Sequence, residues 1–89
     1  MDEVVIRILF FAKARELVGK DFDNISLSRT TSRITGANLL CIITEQFPAL
    51  ESISKNIVLA ADEEYVEFDQ LIDIKNCKEI AVIPPLSGG

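Results

Sequence analysis

Residues 35–47 form the one long segment of this chain whose apolar side chains recur at helical spacing. The residues on that apolar face are Leu39, Leu40, Ile43 and Phe47. Thr35 is a suitable N-cap, and Pro48 ends the helix because proline supplies no backbone donor and clashes with the preceding turn. The apolar face of this one main helix needs a cover, and a sheet built from the segments on either side is the expected one.

Segments with strand character lie on both sides of the helix, either rich in β-branched and aromatic residues or alternating apolar with polar residues. They are residues 4–11, 24–28, 57–61, 65–68 and 79–83. The first two segments are expected to pair with each other. The third and fourth are expected to pair through a turn at Asp62 and Glu63.

The remaining segments connect these strands. A short helix is predicted over residues 12–18, where good helix formers precede Gly19 at the position of a left-handed C-terminal cap. Residues 28–33 are predicted to form a loop, and residues 71–74 a connection to the last strand. The order strand, strand, helix and three more strands predicts an α+β fold, a mixed sheet curled around one main helix.

Strand alternation places apolar residues on the sheet face that points away from the main helix. Leu9 and Phe11 alternate with the inward-facing Ile8 and Phe10, and Ile83 joins them if the first and last strands are neighbours. A cluster of large apolar side chains outside the core is expected to be covered, by a partner or by the chain itself.

Charge and residue types exclude several functions. The chain has nine Lys and Arg against fourteen Asp and Glu, a formal net charge of −5, which argues against nucleic-acid binding and favours a basic protein surface as partner. It has no His, so the usual general base and the commonest metal ligand are missing. Cys41 and Cys77 match no zinc or redox spacing, so we predict no metal site and expect both to be buried or incidental.

The 89 residues are enough for one domain, predicted over residues 1–83, with residues 84–89 as a projecting tail. No N-terminal apolar segment follows a basic start, and no apolar run approaches the roughly 20 residues needed to span a bilayer. The chain is therefore expected in the cytosol, away from membranes.

The tail follows directly on the last strand. Its residues are Pro84, Pro85, Leu86, Ser87, Gly88 and Gly89. Proline cannot extend the sheet, so we expect the tail to leave it in an extended form that spans roughly 20 Å, at about 3.3 Å per residue. The two terminal glycines have no side chain and fit a channel too narrow for other residues. A frayed chain end is the alternative, and the residues by themselves leave both open.

Three blocks of the chain resemble the molybdopterin synthase small-subunit family. They are Leu-Phe-Phe-Ala-Lys-Ala-Arg-Glu at residues 9–16, Ala-Ala-Asp-Glu-Glu-Tyr-Val at residues 60–66, and Glu-Ile-Ala-Val-Ile-Pro-Pro-Leu-Ser-Gly-Gly at residues 79–89. The resemblance extends over essentially the whole chain. It implies a ubiquitin-like β-grasp domain with an extended Gly-Gly tail.

The resemblance also implies a function, that of a sulfur carrier whose working group is the carboxylate of Gly89. An E1-like activating enzyme would use ATP to form an acyl-adenylate there, and sulfur would then replace the AMP to give a thiocarboxylate. Residues 84–88 would insert into the large, catalytic subunit, which transfers the sulfur to cyclic pyranopterin monophosphate and so forms the dithiolene of the molybdenum cofactor. The chain itself would be a non-catalytic sulfur donor with no permanently bound cofactor.

In the family two small and two large subunits form a heterotetramer. The positions that match Phe11, Tyr65 and Ile83 contribute to the contact with the large subunit, which implies a docking surface made by these three residues beside the tail.

Other functional classes stay open. A ubiquitin-like modifier would join Gly89 to lysines of other proteins, and a sulfur carrier for thiamine synthesis or tRNA thiolation would share the Gly-Gly end. A plain interaction module would use the apolar outer face and keep an inert tail.

Overall fold

A computed structural model describes residues 3–28 and 33–84 of the chain. Its strands are β1 (Glu3–Phe10), β2 (Phe22–Ser28), β3 (Arg33–Thr35), β4 (Val58–Ala61), β5 (Glu64–Val66), β6 (Leu71–Asp73) and β7 (Glu79–Ile83). Its helices are α1 (Ala12–Val18), α2 (Gly36–Gln46) and a 3₁₀ helix (Pro48–Asn56). No helix within these ranges is long and apolar enough to cross a membrane.

The main sheet has five strands in the order β2-β1-β7-β4-β5. The central pair, β1 and β7, is parallel, and the other neighbours are antiparallel. The sheet is therefore mixed, and the first and last strands of the chain are neighbours, as the outer-face prediction required. Together with α2 on one side, this is the predicted α+β arrangement, a ubiquitin-like β-grasp fold.

The start and the buried face of α2 confirm the sequence interpretation. Thr35 caps the helix, since its Oγ1 accepts a hydrogen bond of 3.2 Å from the backbone N–H of Asn38. The predicted face is inward: Leu39, Leu40 and Ile43 are buried. Phe47 is half-buried, and its ring meets that of Phe10 edge-on with the centroids 5.0 Å apart. The core therefore lies between α2 and the sheet.

Helix α1 also ends as predicted. Gly19 has φ +86°, the left-handed conformation that glycine adopts without a steric penalty, and its N–H donates to Arg15 O at 2.8 Å.

The pairing of β3 with β6 corrects two predictions. Residue 33 was assigned to a loop and residues 71–74 to a plain connection, whereas Ile34 pairs with Ile72 in a small antiparallel sheet. Residues 29–32 of the predicted loop lie outside the described residues. Both strands have three residues, which is too short for alternation to be recognised, and their pairing is a long-range contact.

The strand predicted over residues 65–68 ends early, at Val66. The backbone after it binds the start of α2 instead, because Phe68 O accepts from Ala37 N at 2.9 Å and Gln70 O accepts from Gly36 N at 3.1 Å. These two bonds satisfy donors that a helix N-terminus otherwise leaves without a partner.

Gly36 is required by this close contact, and we expect Gly36→Ala to destabilise the protein. A Cβ on Gly36 would lie 2.6 Å from Glu67 O, so the added methyl should lower the free energy of unfolding by about 1–3 kcal/mol. This loss outweighs the gain from the higher helix propensity of alanine. Urea unfolding measures the difference. Gly19→Ala is the control for the source of the loss, since nothing lies within 4 Å of its added Cβ, so its cost of about 1–2 kcal/mol comes only from the left-handed backbone. A Gly36→Ala protein as stable as wild type would contradict the packing argument.

Candidate docking surface and tail

The sheet face that points away from α2 carries one continuous row of side chains, which we call the outer row. Paired residues of neighbouring strands project to the same face, and the register joins Phe22 to Leu9, Leu9 to Ala81, Ala81 to Ala60 and Ala60 to Tyr65. The row therefore takes one residue from each of the five strands.

A second, shorter set of apolar side chains lies on the same face toward the end of β7. Val58 pairs with Ile83. Phe11 continues the alternation of β1, because its backbone is extended at φ −117° and ψ 149° and its N–H donates to Val82 O at 3.3 Å. We call the outer row together with Val58, Ile83 and Phe11 the outer apolar face. It holds all three residues of the predicted docking surface.

The large side chains of this face are open to solvent. The exposed fraction is 74% for Tyr65, 51% for Phe22, 46% for Phe11 and 43% for Val58, whereas Ile83 is half-buried. In the middle of the row, Leu9 and Ala81 are half-buried and Ala60 is buried. Single exposed apolar residues are common, but several large ones on one sheet face are typical of a site that a partner covers.

The turn between β4 and β5 holds Tyr65 in place. Asp62 and Glu63 both have positive φ, +47° and +75°, as a two-residue hairpin turn requires. The Asp62 carboxylate accepts hydrogen bonds from the backbone N–H groups of Lys78 and Glu79, whose nitrogens lie 3.1 and 3.0 Å from Oδ1. These bonds tie the hairpin to the start of β7, so Tyr65 and Ile83 are fixed relative to each other.

The described chain ends at Pro84, the first residue of the predicted tail. Pro84 is buried, because it continues the inward alternation of Ile80 and Val82, which are both fully buried. At this residue the chain still packs on the domain instead of projecting from it. Pro85, Leu86, Ser87, Gly88 and Gly89 lie outside the described residues, and their roles stay predictions.

The two cysteines differ in environment. Cys77 is buried, and its Sγ donates to Glu79 O at 3.4 Å. Burial, followed by the nearby charge of Asp62, raises the pKa of the Cys77 thiol to about 11, so this thiol is protonated at neutral pH and is a poor nucleophile. Cys41 is exposed on α2. Within residues 3–28 and 33–84, no group of His, Cys, Asp or Glu side chains is arranged to hold a metal ion.

We expect iodoacetamide at pH 8 to alkylate Cys41 and to leave Cys77 unmodified. A thiol with a pKa about three units above the solution pH is ionised in roughly one molecule in a thousand, and burial also blocks access. Cys77 is the only thiol in the Cys41→Ser variant, so mass spectrometry of that variant gives the alkylation rate of Cys77. Modification of Cys77 in the folded protein as fast as that of Cys41 would show that its thiol is accessible.

Sequence reasoning left Phe22 and Val58 out of the docking surface. A signal for both was present. Apolar Ile25 and Leu27 alternate with polar Asn24, Ser26 and Ser28, and the same alternation carried back along the strand places Phe22 outward. For Val58, the signal was its position between Ile57 and Leu59, which are both buried.

Comparison with known proteins assigns the chain to a family. The sequence matches the ThiS family over residues 8–89. A molybdopterin synthase sulfur carrier subunit from Aedes aegypti is 42% identical, with 99% of this chain and 93% of the relative covered. The protein of the same name from Caenorhabditis briggsae is 41% identical, with 97% and 99% covered.

Solved structures share the fold at lower identity. SAMP1 from Haloferax volcanii superposes with a TM-score of 0.73 at 22% identity, covering 96% of this chain and 99% of that one. A putative molybdopterin converting factor, subunit 1, from Pyrococcus furiosus gives 0.68 at 20% identity, covering 93% and 99%. Because the family match spans residues 8–89 and two relatives above 40% identity cover 99% and 97% of the chain, the chain belongs to the ThiS family, together with the molybdopterin synthase sulfur carrier subunits.

Proposed function

We propose that this chain is a sulfur carrier of molybdenum cofactor biosynthesis, acting as the small subunit of molybdopterin synthase. The observation that carries the proposal is the position of Ile83 at the end of β7, inside the outer apolar face. Strand β7 is the middle strand of the sheet, so a partner that covers this face lies where the chain continues into residues 85–89. Docking and tail insertion are thereby one event.

The chemistry proposed for Gly89 begins with activation, since a carboxylate is a poor electrophile. A carboxylate oxygen attacks the α-phosphorus of ATP, and pyrophosphate leaves. Sulfur at the oxidation level of hydrosulfide then attacks the carbonyl carbon of the acyl-adenylate, the bond to the AMP oxygen breaks, AMP leaves, and loss of the sulfur-bound proton gives the thiocarboxylate. Its sulfur is a stronger nucleophile than the oxygen it replaces.

The residues of the chain fit a donor better than a catalyst. It has no His, and burial keeps the Cys77 thiol protonated by raising its pKa to about 11. The acids, bases and phosphate-binding cations of the transfer step therefore belong to the large subunit. The net charge of −5 favours partners with basic surfaces.

Phe11, Tyr65 and Ile83 form the centre of the docking surface in this proposal, and Pro84 to Leu86 connect it to Ser87, Gly88 and Gly89. A dithiolene contains two sulfur atoms, so two loaded small subunits are consumed per pterin, which suits a heterotetramer of two small and two large subunits. An E1-like enzyme binds ATP and activates Gly89, and this chain holds no cofactor of its own. The cytosol is the proposed location.

The test is the intact mass of the protein isolated from cells that make the cofactor. A carrier shows a fraction whose mass has increased by the replacement of one oxygen by sulfur, and tandem mass spectrometry places the sulfur on Gly89. Cells that lack the activating enzyme are the control and should yield only the carboxylate. Isopeptide-linked ladders in place of the sulfur form would instead identify a protein modifier.

A further inference from the structure

We infer that the large subunit docks across all five strands of the main sheet and contacts Phe22 on the edge strand β2, beyond the three residues that the family resemblance implies. This inference rests on the proposed function and adds the extent of the partner's footprint. It makes Phe22 a docking residue.

Phe22 belongs to the outer row by register and by contact. It pairs with Leu9, and the guanidinium carbon of Arg7, another outward residue of β1, lies 5.2 Å from the centroid of its ring. Half of the side chain stays exposed, 51%, so the contact with Arg7 covers only part of it. A partner gains apolar burial by covering the rest.

In the sheet, Phe22 and Tyr65 lie the same number of strands away from β7, the strand that leads into the tail. In the order β2-β1-β7-β4-β5, each lies two strands from β7, or roughly 10 Å at about 4.8 Å per strand. A standard interface buries about 800 Å² on each partner, a patch roughly 28 Å across. A partner centred on the end of β7 that reaches Tyr65 therefore also reaches Phe22.

A polar border limits the surface on the side away from the tail. The next row of the outer face joins Asn24, Arg7 and Glu79, and the Arg7 guanidinium lies 3.9 Å from the Glu79 carboxylate in a pair open to solvent. Apolar side chains bounded by satisfied polar groups are the usual anatomy of a protein interface, with a core and a rim.

The occupant is the large subunit and not a second copy of this chain. Two copies with a net charge of −5 each repel one another on approach. Exposed Glu63 and Glu64 beside Tyr65 add negative charge at one end of the row, which a basic rim on the partner complements. Phe22 also lies on the same outer apolar face as Phe11, Tyr65 and Ile83, which are proposed to bind that subunit.

The experiment compares Phe22→Thr with Phe68→Thr. Phe68 is 46% exposed but lines a groove beside α2 with Leu40 and Cys41, outside the outer apolar face. Threonine suits a strand, so Phe22→Thr should melt cooperatively. Isothermal titration with the large subunit should show binding about tenfold weaker for Phe22→Thr and unchanged for Phe68→Thr, because truncation of a buried aromatic costs at least about one decade of affinity.

A second measurement needs no substitution. Hydrogen exchange of the wild-type complex should show slower exchange of the backbone amides of residues 22–24 than in the free chain. Wild-type affinity of folded Phe22→Thr together with unprotected amides overturns the inference. The inference is also overturned if sedimentation shows that the wild-type chain self-associates, and if Phe22→Thr abolishes this association without weakening the binding of the large subunit. The proposed function fails separately, if the wild-type chain neither binds the large subunit nor carries sulfur.

Discussion

Removal of Gly89 is expected to abolish sulfur transfer while the domain stays folded and still binds the large subunit. The carboxylate would then lie on Gly88, about 3.5 Å short of its place along an extended chain, and a displacement of even 1 Å from a reacting centre can cost about a hundredfold in rate. Transfer is measured as pterin dithiolene formed per loaded small subunit. Thermal melting of the truncated chain should match that of wild type, because the docking residues and the core lie in residues 3–84.

Gly89→Ala is the control for this truncation, since it keeps the length and the carboxylate and adds one methyl. Once loaded, it should transfer sulfur more slowly than wild type but faster than the truncated chain, because the methyl crowds a channel that fits glycine. A chain ending at Gly88 that transfers sulfur at the wild-type rate would show that the working group is elsewhere.

Phe11→Arg is expected to weaken binding to the large subunit by a hundredfold or more. Phe11 lies beside Ile83 at the centre of the proposed docking surface, and a buried arginine without a partner costs several kcal/mol, at about 1.4 kcal/mol per decade of affinity. In the free chain the arginine is in water, since Phe11 is 46% exposed, so the fold should tolerate it. Titration of the folded variant with the large subunit measures the loss.

Phe68→Arg is its matched control. Phe68 has the same exposed fraction, 46%, but lies beside α2 and not on the outer apolar face. Its substitution should leave affinity within about twofold of wild type, as expected of a surface residue outside the interface. Equal effects of the two substitutions would mean that the loss comes from the added charge, and wild-type binding by folded Phe11→Arg would remove the outer apolar face from the proposal.

Local patterns predicted the helices and most of the strands. The Thr35 cap, the stop at Pro48 and the left-handed Gly19 depend on residues within one or two turns of helix, so the sequence specifies them directly. Strand alternation likewise separated inward Ile8 and Phe10 from outward Leu9 and Phe11. The contact of Gly36 with Glu67 O, which makes glycine necessary there, had no local signal because the two residues are far apart in the chain.

The sequence by itself therefore determined the helices, most of the strands of the main sheet and the inward or outward face of many of their residues, but not β3, β6 or the early end of β5. Only the tertiary structure decided which strands are neighbours, that β3 pairs with β6, that Pro84 is buried, and that Phe22 and Tyr65 belong to one row. Periodicity depends on backbone geometry within a segment, whereas strand order and register come from contacts between distant segments, whose partners a single sequence does not name. The docking surface spans five strands, so its full extent appears only when the sheet is assembled.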